Sequence, residues 1–262
     1  KEEKKKRIHK PWHRAIRTCG LQFNYTTDRR ITRNEFDASA YKVMILAQCE
    51  AIGPEVEKAV REFVAGGGTV IADVRPGLRG ARGKQREVGG VLDDLFGVRH
   101  TGSAPAKQSD GRISGRISGR EVAVEFKDLI VNPAVDPMKG EVLGSAGETP
   151  LCIVNEVGRG RAILLNFALW SSRHPTAEDA RVADFLSALF ASAGIEWPLE
   201  LLDKDGLRHR NIEVMRWRTG PGIEVVALSG PVDKTEWEGG EVLSPPFGTK
   251  GNAVPPRTVA DA

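Results

Sequence analysis

Cys49 is the residue of this chain whose type and place could supply a nucleophile. It lies in Ala47-Gln-Cys-Glu-Ala51, just after the apolar run Lys42-Val-Met-Ile-Leu-Ala47. In an α/β fold, ligands and reacting groups collect at the carboxyl ends of strands. A thiol attacks as the thiolate, so it needs a base and a sharp turn that exposes the sulfur. No glycine-flanked elbow surrounds Cys49, and the five histidines, at 9, 13, 100, 174 and 209, are scattered singly. The residues therefore read Cys49 as a small apolar side chain. A divergent Cys49-dependent amidotransferase or amidase is the enzyme-class alternative.

The second candidate follows the next apolar run. Asp73-Val-Arg75-Pro-Gly-Leu-Arg79-Gly-Ala-Arg82-Gly-Lys-Gln-Arg86 is a basic loop at a strand's carboxyl end. Asp73 and Arg75 suggest an ion pair or a grip on a sugar hydroxyl. Arg75, Arg79 and Arg82 suggest a mobile loop that binds an anion, a nucleic acid or an acidic neighbouring surface. A solvated loop competes with these readings, and the favoured active use is an interface. The residues also support a sugar- or anion-binding module that uses residues 73–86.

Other constellations dissolve on inspection. Asp93 and Asp94 are adjacent, and adjacent helix positions do not face one another, so they read as surface and first-turn charges. His9 and His13 have the i, i+4 spacing of a zinc pair, but Pro11 lies between them. Gly66-Gly67-Gly68 precedes its strand, whereas a dinucleotide fingerprint follows one and opens a helix. Walker and HExxH motifs are absent, and the tryptophans at 12, 170, 197, 217 and 237 form no sugar-stacking cluster. The sequence nominates no catalytic set, no metal site and no cofactor.

The elements that would position these residues are legible. Lys42–Ala47 and Thr69–Ala72 read as strands buried on both faces. Between them Gly53-Pro54 opens a helix whose apolar stripe is Val56, Ala59, Val60, Phe63 and Val64, and the triple glycine ends it. Strand, helix and strand make a βαβ unit. Upstream, residues 12–19 read as a short helix and Leu21–Tyr25 as an alternating strand. A doubly wound sheet would place a strand before that helix, yet residues 1–10 are too charged for it, so the first strand is expected to be missing.

Downstream, residues 91–96 read as a short helix closed by Gly97. A tandem Gly-Arg-Ile-Ser repeat at 111–118 reads as a surface ribbon or hairpin. Leu151–Asn155 and Arg161–Asn166 read as a hairpin through Gly158-Arg-Gly160. The last long helix starts at Pro175-Thr176, with Thr176 as cap and Val182, Phe185, Leu186, Leu189, Phe190 and Ala193 as its buried stripe. Residues 212–217 and 223–228 alternate around a Gly-Pro-Gly turn. The domains expected are a basic tail at 1–10, an α/β domain at 11–200, a partial β domain at 201–243 and a Pro/Gly-rich tail at 244–262.

Composition narrows the class further. The chain has 262 residues, 40% hydrophobic and 28% charged, which are globular values. The net charge is +3, but the first ten residues hold six Lys/Arg against two Glu, so the remainder sums to −1. The basic excess is an end segment on a nearly neutral body, and nucleic acid is not the expected partner. No apolar run reaches the length of a membrane span, so no membrane partner is expected. Three widely spaced cysteines, 19, 49 and 152, point to reduced thiols and a cytoplasmic compartment.

Several segments carry a resemblance. The run YKVMILAQCEAIGPEVEKAVREFVAGGGTVIADVRPGLRG, then GGVLDDLFGVR and later VNEVGRGRAILLNF, resembles the trimerisation domain of glycoside hydrolase family 42 β-galactosidases. The resemblance implies a class I glutamine amidotransferase-like, flavodoxin-like fold: a doubly wound, mostly parallel sheet lacking the amidotransferase triad, here with a short C-terminal β appendage. It also implies that the catalytic glutamates sit in a (β/α)8 barrel outside these residues, so no catalytic residue is carried over. The implied partner is that barrel or further copies of this chain, in a homo-oligomer with a trimer as one option. Departures are the missing first strand, Gln48-Cys49 where proline would be expected, and a short C-terminal β region. The function expected is a non-catalytic oligomerisation or accessory domain of a β-galactosidase-like enzyme.

Overall fold

The computed structural model describes residues 11–13, 15–87, 89–102, 107–117, 119–169, 176–197, 201–202, 213–220 and 223–229. Helix α1 covers helical residues 11–13 and 15–18. A short helix α2 (Asp28–Thr32) and a 3₁₀ turn (Ala38–Ala40) follow. Then come β1 (Val43–Leu46), α3 (Pro54–Ala65) and β2 (Thr69–Asp73). Gly53 and Pro54 begin α3 as expected, and Val60, Phe63 and Val64 of its stripe are buried. β1 and β2 pair in parallel, with Val43 opposite Thr69 and Leu46 opposite Ala72.

Helix α4 (Asp93–Phe96) leads through Gly97, left-handed at φ 67°, into β3 (Val98–His100). The rest of the sheet is β4 (Lys107–Ile117), β5 (Arg120–Val131), β7 (Glu141–Ala146), β8 (Thr149–Val157) and β9 (Gly160–Leu165). β6 (Val135–Pro137) pairs with β3 in a separate two-stranded ladder. Helix α5 (Thr176–Ser192) buries Val182, Phe185, Leu186, Leu189 and Phe190 against the sheet. β10 (Glu213–Gly220) and β11 (Ile223–Ser229) form an antiparallel hairpin. Thr176, expected as the cap, is the first residue of α5, while expectations for residues 1–10, Pro175 and the tail from 244 lie outside the described residues.

The seven-stranded sheet has the order β1-β2-β9-β8-β7-β4-β5, and this overturns the doubly wound, flavodoxin-like and amidotransferase-like expectation. Two strand pairs are parallel, β1–β2 and β2–β9, while the other four are antiparallel. The physical reason lies in the connections. A parallel neighbour needs a crossover of a dozen or more residues, usually a helix. Here β7–β8 and β8–β9 are joined by two-residue turns with a glycine at positive φ (Gly147, Gly158), and β5 begins directly after Gly119, also at positive φ. Such turns reverse the chain, so the strands must be antiparallel. The far edge then bends back: Val131 at the end of β5 bridges to Phe167 just past β9, and the Ala168 amide donates to Ile130 O at 3.0 Å. The result is a strand-rich, curled half-barrel with few helices.

The tandem repeat is also corrected. It forms β4, inside the sheet between β7 and β5, and is no surface ribbon. A period of four is two strand periods, so Gly111, Ile113, Gly115 and Ile117 share one face. Ile113 and Ile117 are buried, and a Cβ on Gly111 would lie 2.4 Å from Leu151 Cδ1. Leu21–Tyr25 is corrected in the opposite sense: it belongs to no strand.

Two apolar clusters flank the sheet. One holds Trp12, Ile16, Ile71, Ile113, Phe126, Phe167 and α5; the other holds Met44, Val60, Phe63, Leu92, Phe96 and Leu164. Among the described residues, no helix is long and apolar enough to cross a membrane.

Candidate functional site

The parallel strands end side by side, and their carboxyl ends gather buried polar groups. Asp73, the last residue of β2, is 1% exposed. Its Oδ1 accepts the Gln48 backbone amide from the end of β1 in a short hydrogen bond. Burial pushes its carboxyl up to about 6, against the hydrogen bonds that favour the ion, chiefly from Gln48. Trp12 Nε1 also favours the charged form without reaching ordinary hydrogen-bond geometry. A carboxyl in that range exchanges protons near neutrality, which is the behaviour sought in a general acid or base.

The backbone around Asp73 is bent to make this arrangement. Gln48 (φ 47°), Val74 (φ 20°) and Arg75 (φ 62°) all have positive φ, which is rare for a residue with a Cβ and an outlier for β-branched valine. The Val74 amide donates to Leu165 O at the end of β9 at 2.9 Å. One residue past β9, Asn166 is fully buried; its Nδ2 donates to Asn132 O and Pro150 O, both at 2.8 Å. Asn166 Oδ1 and Asn132 Nδ2 are buried without a hydrogen-bond partner among the described residues.

Cys49 is half-buried, and its thiol lies 3.7 Å from Ala47 O. Burial first, then the charges of Asp73 and Asp28, push the thiol up to about 12. That is the reverse of what a nucleophile needs, because the thiolate is the reactive species.

The basic loop is tied down rather than mobile. Ala51 and Arg79 form a parallel bridge: the Ile52 amide donates to Arg79 O at 3.0 Å and the Arg79 amide to Glu50 O at 2.7 Å. Arg79 Nε donates to Glu50 Oε2 at 3.3 Å and its Nη1 to Gly83 O at 3.1 Å. Arg86 holds the loop from inside through Gly77 O and Ile52 O. Arg75 is half-buried, while Arg79 and Arg82 are exposed. Asp73 is sealed beneath the strand ends while Arg79 and Arg82 stand outside, so the four residues do not converge on one point.

Sequence reasoning missed a buried pair. Asp93 is not a surface charge: its side chain is 14% exposed, and that of His100 is 1% exposed. Asp93 Oδ1 lies 2.6 Å from His100 Nδ1, and its Oδ2 accepts the His100 amide at 2.8 Å. A carboxylate can only accept, so Nδ1 carries the proton, and Nε2 is left buried with no hydrogen-bond partner among the described residues. The available signal was Gly89-Gly90: a Cβ at Gly90 would come within 2.4 Å of Asp93 Oδ1. Asp94 turns outward to a bidentate pair with Arg61, at 2.8 and 2.9 Å, which lowers its carboxyl below the usual range. The neighbouring carboxylates indeed serve different partners. Among the described residues, no group of three or more His, Cys, Asp or Glu could hold a metal ion.

This architecture occurs as one part of larger β-galactosidases. The structure of a β-galactosidase from Bacillus circulans sp. alkalophilus superposes with a TM-score of 0.61 at 22% identity, covering 84% of this chain and 30% of that one. A β-galactosidase from Rahnella sp. R3 gives 0.62 at 18% identity, over 84% and 31%. A polyextremophilic β-galactosidase from the Antarctic haloarchaeon Halorubrum lacusprofundi gives 0.53 at 21%, over 79% and 28%. At these identities the likeness is one of fold, and the chain spans under a third of each enzyme's length. No curated protein matches the chain. The chain belongs to the family described as the β-galactosidase trimerisation domain, which matches residues 3–196.

Proposed function

We propose that this chain is a non-catalytic assembly domain of a β-galactosidase-like glycoside hydrolase system. It packs against its own copies, with a cyclic trimer as the form its family's description suggests, or against a (β/α)8 barrel that carries the chemistry. The observation that carries the reading is the family match over residues 3–196. The chemistry of the strand ends supports it: the thiol beside Asp73 is protonated, and the buried carboxyl of Asp73 has its ionised form held by Gln48 rather than aimed at open space. A retaining glycosidase needs two carboxyl groups about 5–5.5 Å apart in a sugar-binding cleft. The rigid outer loop with exposed Arg79 and Arg82 is our choice for part of the contact surface, since a pre-ordered loop loses little entropy on docking. Thiols that form no disulfide, such as Cys49 and Cys152, fit a cytoplasmic setting.

Sedimentation equilibrium of the purified chain tests assembly. Self-association to a closed oligomer is expected, weakened when Arg79 and Arg82 are both replaced by Glu. A strictly monomeric chain that also fails to bind a barrel would overturn the reading. So would turnover of a nitrophenyl galactoside by the chain alone.

A further inference from the structure

Among the described residues, β5 (Arg120–Val131) is the far end of the seven-stranded sheet. Its outer side is met near its C-terminal end, where the Ala168 amide donates to Ile130 O and Phe167 bridges Val131. The stretch before that contact, residues 121–127, alternates in burial. Val122, Val124 and Phe126 are buried in the core that α5 completes, while Glu121, Ala123, Glu125 and Lys127 are exposed. The two ends of the stretch carry opposite charges. Glu121 is 84% exposed and pairs with Arg116 of β4 at 3.1 Å; Lys127 is 59% exposed and pairs with Asp110 of β4 at 3.4 Å.

A regular strand at the end of a sheet is a template for pairing, and natural edges are often blunted by charged side chains. Blunting works when the charges repel in every register. Here one register attracts. A two-fold axis at Val124 runs two copies of β5 antiparallel, sets Glu121 of each opposite Lys127 of the other, and sets Ala123 opposite Glu125. Neighbouring registers fail. With the axis at Ala123, Glu121 meets Glu125; with the axis at Glu125, that residue meets itself, and like charges directly opposite are destabilising. With the axis at Phe126, the positive-φ Asp128 (φ 53°) falls opposite Val124. An axis between two residues would set buried positions beside exposed ones.

We infer that β5 is a self-complementary edge that joins a second copy of this chain about a two-fold axis at Val124, continuing the sheet across both copies. Each new Glu121–Lys127 contact extends a pair already present within the chain. Arg116, Glu121, then Lys127 and Asp110 of the second copy form a row of alternating sign across four strands, and the symmetry supplies that row twice. This charge pattern is what selects a second copy over an unrelated strand. The inference deepens the assembly reading by naming one contact, yet it is separable from it. A two-fold contact closes no three-fold ring, so it pairs single chains or pairs rings formed through other surfaces.

The test is sedimentation velocity of the full chain at low ionic strength, where surface charges are least screened, with hydrogen–deuterium exchange on the same samples. The parent chain shows a reversible doubling in mass, and exchange over 121–127 slows as protein concentration rises. Glu121→Lys or Lys127→Glu alone sets like charges opposite each other twice and weakens the doubling about tenfold. Mixing the two variants restores it, because each altered charge then meets the opposite sign on the other copy. Thermal midpoints of both variants hold, since the replaced side chains are exposed. Four results would overturn the inference: no doubling of the parent chain, a doubling that ignores both single variants, no recovery on mixing, or exchange over 121–127 that does not change with concentration. The last would mean that the chain covers this edge itself. A trimer that persists in any of these cases leaves the assembly reading standing.

Discussion

At β1, β2 and β9 the strands run parallel, with apolar clusters on both faces and buried polar groups crowded at their carboxyl ends. At β8, β7, β4 and β5 the strands run antiparallel, turn on two residues and curl until β5 meets the chain past β9. The antiparallel part closes on itself: Val131 finds Phe167, and Asn166 ties two carbonyls to the bend. The parallel part has β1 as its edge among the described residues and holds its strand ends in positive-φ conformations around a buried carboxyl. One region is tied together by tight turns, and the other by a helical crossover with β1 at the sheet edge among the described residues.

The sharpest way to break this comparison is Ile113→Ala in β4. A fully buried isoleucine in a closed sheet should cost about 3–4 kcal/mol, measured by chemical denaturation. Arg112→Ala on the other face should cost under about 0.5 kcal/mol. Small losses from both would return the tandem repeat to the surface.

Asp73→Asn probes the parallel half. With its folded value raised to about 6 from an ordinary 3.8, Asp73 is favoured in its protonated form by the fold. Its contribution is therefore complete below about pH 4 and is lost as pH rises through about 6. Two units correspond to about 3 kcal/mol. Denaturation midpoints of the parent chain should fall across that window relative to Asp73→Asn, which should lack this component.

Asp93→Ala strands two buried donors of His100, and a loss of about 2 kcal/mol is expected in thermal unfolding. Arg79→Ala, whose partner Glu50 is 41% exposed, should cost well under 1 kcal/mol. A larger loss would mean that the loop braces the strand ends instead of serving the surface.

Particular residues show how far reading can go. The βαβ unit was legible because strands buried on both faces are continuous apolar runs, and because Gly53-Pro54 and the triple glycine punctuate the helix. The hairpin through Gly158 and the short helix before Gly97 were legible for similar local reasons. The doubly wound expectation extends the two parallel strands of that unit to a whole fold, although the two-residue turns at 147–148 and 158–159 forbid it. The repeat at 111–118 looked polar because arginine and serine alternate with glycine, and glycine hides a core-facing position. The places of Asp73 and Cys49 at strand ends were legible from the apolar runs before them. Asp93 was dismissed on helix neighbours alone, since His100 reaches it from the next strand.

The chain's own pattern of apolar runs, breakers and glycines determined which segments become strands and helices, because those preferences are settled within a few residues. Which strands meet, in which direction, and which charges end up buried were decided only in three dimensions. Asp73 at the Gln48 amide, Asp93 at His100, and Val131 at Phe167 each depend on groups brought together by the fold, and burial acts on a charge only once the surrounding layers have closed over it.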